Sequence, residues 1–160
     1  MFKILNYSDV EYIVVHASAT PASMDIGAKE IDRWHRERDF WMIGYHFVIR
    51  RDGSLEAGRP LHQRGAHAHG YNDKSWGICM VGGVDEEQNP ENNFSERQFE
   101  TLQSTVSLLK VLAPSAEVLG HRDLSPDLNG DGIITPNEFM KACPCFDVRD
   151  WYGANFQPIT

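Results

Sequence analysis

Apolar residues fall along this chain in two rhythms, short unbroken runs and stripes spaced three or four apart, and the two alternate from end to end. "EYIVVHAS" is a β-branched run that predicts a buried strand with His16 at its C-terminal end. "DIGAKEIDRWHRERD" predicts a helix with Ala28, Ile31 and Trp34 on its buried side. "GYHFVIRRDGSLEAGR" predicts two strands joined at Asp52-Gly53, a dipeptide favoured where both turn residues need positive φ. "WGICMVGG" predicts a further strand that ends in a glycine pair. The sharpest helix start is "FSERQF": Ser95 and Gln98 form a capping box, and Phe94 and Phe99 can staple across it. From there Phe99, Leu102, Val106 and Leu109 continue an apolar stripe until Pro114 stops the helix. "AEVLGH" predicts a last strand with His121 at its end. Because the hairpin interrupts a pure βαβ rhythm, the expected fold class is α/β (α+β), a mixed central β-sheet flanked by helices.

Composition narrows this to one domain over residues 1–160. A chain of 160 residues, 41% hydrophobic, buries one respectable core, and no repeat or linker divides it. The formal charge of −8 excludes a nucleic-acid-binding face, which needs clustered Lys and Arg, and gives no attraction to an anionic membrane. The first residues, "MFKILNYSDVEYIVVHAS", lack the basic and long apolar regions of a signal peptide, and no run reaches membrane-spanning length. A soluble protein made in the cytosol, without membrane insertion, is expected. Three cysteines, Cys79, Cys143 and Cys145, make an odd count that points to a metal or a reactive thiol rather than a disulfide framework.

Catalytic zinc takes three protein ligands of His, Cys or carboxylate type and keeps one place open. His16 and His121, each ending a predicted strand, and Cys143 in an irregular segment are of the right types. No spacing rule connects residues so far apart, and any of the seven histidines taken singly reads as a surface or core residue.

What joins them is resemblance. "VVHASAT", "GYHFVIRRDGSLEAGR", "GAHAHGYND", "GICMVGGVDE" and "KACPCFD" occur in the order and much of the wording of the phage-type N-acetylmuramoyl-L-alanine amidases. These bacteriophage lysozymes share a fold with peptidoglycan recognition proteins, and the similarity spans nearly the whole chain. The resemblance implies that His16, His121 and Cys143, the cysteine of a K-x-C-P motif, hold one zinc ion. It implies catalytic roles for Tyr45 of G-Y-H-F and for Lys141, and places His67 beside the substrate cleft, binding substrate or supporting the ligands from behind. Cys145 could in principle replace Cys143 as ligand, but the family pattern favours Cys143. Zinc so held would bring water to a pKa of about 7. Lys141 would then stabilise the developing oxyanion, and Tyr45 would hydrogen-bond the water or relay a proton.

The implied reaction is hydrolysis of the amide between N-acetylmuramic acid and L-alanine, with peptidoglycan as partner. The protein would be a monomeric endolysin held in the host cytoplasm until lysis and acting on the wall in the periplasm. Retention of Cys143, Lys141 and Tyr45 speaks against the rival reading, a recognition protein that binds peptidoglycan without turnover. A second rival is a calcium-responsive regulator on a vestigial amidase fold. Plainer roles remain for the rest: His46 packs or faces solvent on the opposite side from Tyr45, Cys79 acts as a small apolar residue, and His69 is an exposed loop residue. His35 and His62 carry no assignment.

One stretch departs from the family. In its phage members a short loop separates the second histidine from the lysine and cysteine, whereas here "DLNGDGIITPNE", residues 127–138, stands between them. It matches an EF-hand calcium loop: Asp127, Asn129 and Asp131 at places one, three and five, Gly132 at six, the Ile133 carbonyl at seven and Glu138 at twelve. The plainer reading is a solvated Asn-Gly and Asp-Gly turn. A regular entering helix is not expected after "LSP", and Pro136 allows only a short exiting one. Calcium bound there is expected to order the connection that carries Lys141 and Cys143.

Overall fold

The computed structural model describes residues 2–156. Its central sheet is built from β1 (Tyr12–Ala17), β3 (Phe47–Ile49), β4 (Leu55–Ala57), β5 (Ser75–Met80) and β7 (Glu117–Gly120), in the spatial order β4-β3-β5-β1-β7. Neighbours pair in parallel except β3 and β4, which form the antiparallel hairpin. A second, two-stranded parallel sheet joins β2 (Thr20–Pro21) to β6 (Gly83–Val84).

Side-chain alternation along the central strands makes two cores. Ile13 and Val15 of β1, Trp76, Ile78 and Met80 of β5 and Ile49 of β3 face α2 (Glu96–Leu112) and α3 (Val148–Asn155), which supply Leu102, Val106, Leu109 and Val148. On the other face Val48 and Cys79 pack with Val81, Ile26 and Ile43 against α1 (Ala28–Glu37). The result is a three-layer single domain with a mixed sheet, as the alternation of runs and stripes predicts.

Local chemistry sets the boundaries of the elements. At the start of α2 the Gln98 N–H donates to Ser95 Oγ at 3.2 Å, and the Ser95 N–H donates to Gln98 Oε1 at 2.9 Å. Phe94 and Phe99 meet edge to face across this cap, with centroids 6.1 Å apart. In α1 the buried positions are Ile31 and His35, a four-residue step, whereas Trp34 is half-buried at the side of the stripe. The hairpin turn needs one positive φ rather than two: Gly53 sits at +87°, while the Asp52 carboxylate accepts from the Ser54 N–H at 2.9 Å. The Gly53 N–H donates to Arg50 O and the Arg50 N–H to Ser54 O, which makes a three-residue loop with glycine in the left-handed place. The sequence pattern did not reveal α3, whose N-cap Asp147 accepts from the Asp150 N–H at 3.0 Å.

Candidate active site

Strand order brings the distant histidines together. Period-two alternation sends Ile13 and Val15 into the α2 core and leaves His16, 1% exposed, on the α1 face. Strand β7 runs parallel beside β1 with Val15 opposite Gly120, so the next residue, His121, emerges alongside His16. Their ring centroids are 4.6 Å apart. Cys143 is fixed from three directions: its Sγ accepts from the Ala17 N–H at 3.1 Å, and its carbonyl accepts from the Arg122 N–H at 2.9 Å. In addition, Pro144 lies on Gly120, where a Cβ would come within 2.8 Å of the proline Cδ. Donor atoms of His16, His121 and Cys143 thereby lie within 4.8 Å of one another, the one such group of three His, Cys or carboxylate residues among the described residues.

Burial keeps both histidines of this group neutral. It pushes His16 well below the ordinary imidazole value, helped by His67, His121 and Lys141, and it lowers His121 to about 4, again with help from Lys141. Both rings are therefore neutral near pH 7 and offer a lone pair. Burial pushes the Cys143 thiol up to about 12, against the pull of the Ala17 N–H and Lys141, so the free thiol keeps its proton near pH 7. Two imidazoles and a sulfur, converging at one wall of an open cleft, fit a tetrahedral zinc ion with one free position.

The cleft has a volume of about 760 Å³. Tyr45 lines it with its ring 5.0 Å from that of His16, and its hydroxyl is held well above the ordinary tyrosine value by burial and by the thiols of Cys79 and Cys143. Lys141 reaches the cleft from the exposed side. His67 is also in the wall, but its Nδ1 lies 2.8 Å from His16 Nε2 and so engages the histidine. His35, Arg38 and Phe40, from the end of α1 and the turn after it, also line the cleft, with the His35 ring 5.4 Å from that of Tyr45. Pattern reading left them out. The four-residue step from Ile31 to His35 was the available signal, since it continues the buried face of α1.

Other residues take plainer places. His46 is 1% exposed and spends both ring nitrogens on backbone, with Nδ1 accepting from the Gly77 N–H at 3.0 Å and Nε2 donating to Gln63 O at 2.8 Å. Cys79 is fully buried in β5 opposite His16. Cys145 stands outside the group of three, half-buried, with φ at +72°. His69 is exposed on the cleft rim, and the exposed His62 meets Phe2 edge to face.

Residues 127–138 leave the domain and return to nearly the same point, where the Met140 N–H donates to Ser125 Oγ at 3.1 Å. The side chains of this excursion turn inward on its own backbone. Asp127 accepts from Gly130 and Gly132, Asn129 from Asp131, and Asp131 from Ile133. Glu138 accepts from the N–H groups of Leu128, Asn129 and Thr135 and from the Thr135 hydroxyl, which together hold its carboxyl below the usual range. Its three carboxylates do not converge as a donor group, and Ile133 is exposed.

Known proteins place the chain. The family model described as N-acetylmuramoyl-L-alanine amidase matches residues 6–145. The endolysin of Klebsiella phage KP32 is 43% identical over 147 residues, which cover 92% of this chain and 88% of the relative. The endolysin of Escherichia phage T7 is 38% identical over 143 residues, covering 89% and 85%. Among solved structures, the N-acetylmuramoyl-L-alanine amidase LysC from Clostridium intestinale URNW shares the fold with a TM-score of 0.71 at 24% identity, covering 95% of this chain and 89% of that one. With a family match over most of its length and such identity to phage endolysins, the chain belongs to the N-acetylmuramoyl-L-alanine amidase family and is an enzyme of that activity.

Proposed function

We propose that the chain is a zinc-dependent endolysin that hydrolyses the amide between N-acetylmuramic acid and L-alanine in peptidoglycan. The observation that carries this reading is the convergence of His16, His121 and Cys143 at the wall of the cleft. Bound there, zinc supplies Lewis acidity for the scissile carbonyl and acidifies water to near neutral pH. His16 and His121 would hold it as neutral ligands, and Cys143 would release its proton on binding, so affinity would rise with pH.

The chain's own groups divide the remaining work. That Lys141 is exposed and lines the cleft supports a role for its N–H donors in stabilising a developing oxyanion. Tyr45 stays protonated at neutral pH and acts as a hydrogen-bond donor beside His16. Among the described residues no carboxylate lines the cleft, whereas Arg38 and Lys141 do, so its wall is cationic and suits the anionic stem peptide of the substrate.

Among the described residues no helix is long and apolar enough to cross a membrane. An endolysin of this kind would wait in the host cytoplasm as a monomer and meet the wall after a separate membrane lesion. Incubating muropeptides with the protein and weighing the products tests the activity: an intact stem peptide and a free muramic acid carboxyl are expected, and any other cleavage overturns the reading. Metal analysis of the same sample is expected to find one zinc per chain, lost in Cys143→Ser.

The EF-hand pattern of Asp127, Asn129, Asp131, Ile133 and Glu138 supports a calcium ion in the inserted excursion. Because Cys143 is also held by Ala17, Arg122 and Gly120, calcium there would steady the excursion more than the catalytic groups. A calcium-selective chelator that leaves zinc bound is expected to lower the thermal midpoint with little change in rate, and no change in either sinks the calcium reading.

A further inference from the structure

Behind His16 runs a line of hydrogen bonds that ends on the main chain. His16 Nε2 lies 2.8 Å from His67 Nδ1, His67 Nε2 lies 3.2 Å from Ser75 Oγ, and Ser75 Oγ lies 2.7 Å from the Tyr71 carbonyl oxygen. We infer that His67, braced by Ser75 and the Tyr71 carbonyl, is a positioning residue that fixes the proton of His16 on Nε2 and so bares Nδ1 toward His121 and Cys143.

The argument starts from the far end of the line. A carbonyl oxygen can only accept, so Ser75 gives its one hydroxyl proton to Tyr71 and meets His67 Nε2 with a lone pair. His67 therefore carries its proton on Nε2. A neutral imidazole has one N–H, which leaves His67 Nδ1 as an acceptor, and the 2.8 Å contact then requires the proton of the facing ring on His16 Nε2. The nitrogen left on His16 is Nδ1, unprotonated. Reversing the order would turn the Ser75 hydroxyl away from Tyr71 and place a proton on His16 Nδ1, among the other donors.

Strand geometry builds this line into the fold. Trp76, Ile78 and Met80 fill the α2 core, so Ser75, Gly77 and Cys79 face the cleft side. The His67 ring packs this close to β5 because residue 77 is glycine: a Cβ there would come within 2.6 Å of the ring. Asn72 Oδ1 pins the backbone beneath it, accepting from the N–H groups of His67 and Ala68 at 2.9 and 3.0 Å. Ligating histidines are commonly oriented by a carboxylate or carbonyl. Here a second histidine does this, relaying the polarity of a carbonyl two groups away.

The inference rests on the reading of His16 as a metal ligand, and its test separates the two. Imidazole ¹⁵N spectra of the metal-free full-length chain, assigned with His16→Asn and His67→Asn, are expected to show Nε2–H and bare Nδ1 on both rings. Zinc affinity by competition with a chromogenic chelator is expected to fall about 10- to 100-fold in His67→Leu, which has no acceptor. His67→Asn, whose Oδ1 stands near the former Nδ1, should retain most of it, and Ser75→Ala should lose less than His67→Leu. A proton on His16 Nδ1 overturns the inference, as does His67→Leu binding zinc as tightly as the parent, or falling no further than His67→Asn. A parent chain whose spectra show the expected tautomers but which takes up no zinc overturns the metal reading instead.

Discussion

His16, His121 and Cys143 come from three segments of the chain, whereas Asp127 to Glu138 come from one, and the two regions handle their metal-type donors in opposite ways. In the cleft, the donors are kept off each other's hydrogen bonds: His16 is braced from behind by His67, and Cys143 is held by backbone N–H groups, leaving lone pairs aimed at a common point. In the excursion, each side chain satisfies the backbone of its own loop. A packed sheet edge can store donors in a costly arrangement because the surrounding cores determine it. An exposed twelve-residue turn relaxes toward local satisfaction unless an ion redirects it.

The largest effect expected from this contrast is at the sulfur. Cys143→Ser should remove zinc and reduce muropeptide hydrolysis about 1000-fold or more, a loss of about 4 kcal/mol in transition-state stabilisation. A variant that digests wall fragments at the parental rate would break the contrast outright. Lys141→Ala should cost about 100- to 1000-fold in kcat with zinc content unchanged, since it removes charge from the rim and leaves the ligands in place. Zinc loss in that variant would show that the rim and the ligands are one unit.

Stability of the metal-free protein sharpens the same point. Burial lowers His46 from the ordinary 6.5 to about 4, and His16, His35, His67 and His121 are lowered as well. The unfolded chain takes up these protons first, so stability is complete above about pH 6.5 and is lost as pH falls through the window down to about 4. His46 alone accounts for something on the order of 3 kcal/mol. Denaturant midpoints measured between pH 7 and pH 4 should fall steeply, and a flat profile would mean the rings are not desolvated. Gly77→Ala should cost about 1–3 kcal/mol by driving a methyl group into the His67 ring, and should weaken zinc binding with it. Least of all, Glu138→Ala should lower the thermal midpoint by only a few degrees, with hydrolysis within about tenfold of the parent, because the excursion closes on itself at Ser125 and Met140.

Much of the scaffold was legible in order. The runs "EYIVVHAS" and "AEVLGH" carry β1 and β7, and Ser95 with Gln98 marks the start of α2 to the residue, because caps and stripes are local physics. The Asp52-Gly53 turn was placed correctly but with the wrong conformation, since the Asp52 carboxylate supplies an alternative to a second positive φ. Helix α3 escaped notice because its eight residues hold one fully buried position, Val148, too few for a visible stripe. Within the site, the family motifs pointed to His16, Tyr45, His121, Lys141 and Cys143, but they gave no reason for Ser75 or His35, whose roles depend on which faces meet.

By itself the sequence determined the kinds of donor available, the strands that carry His16 and lead into His121, the single domain and the acidic Asn-Gly and Asp-Gly turn, because each is written in neighbouring residues. Tertiary structure alone decided that β7 lies beside β1, that Cys143 docks on Ala17, and that His67 turns its Nδ1 to His16 rather than to the open cleft. Those outcomes follow from strand order and two-sided burial, which couple residues from 51 to 126 positions apart and leave no trace in local periodicity.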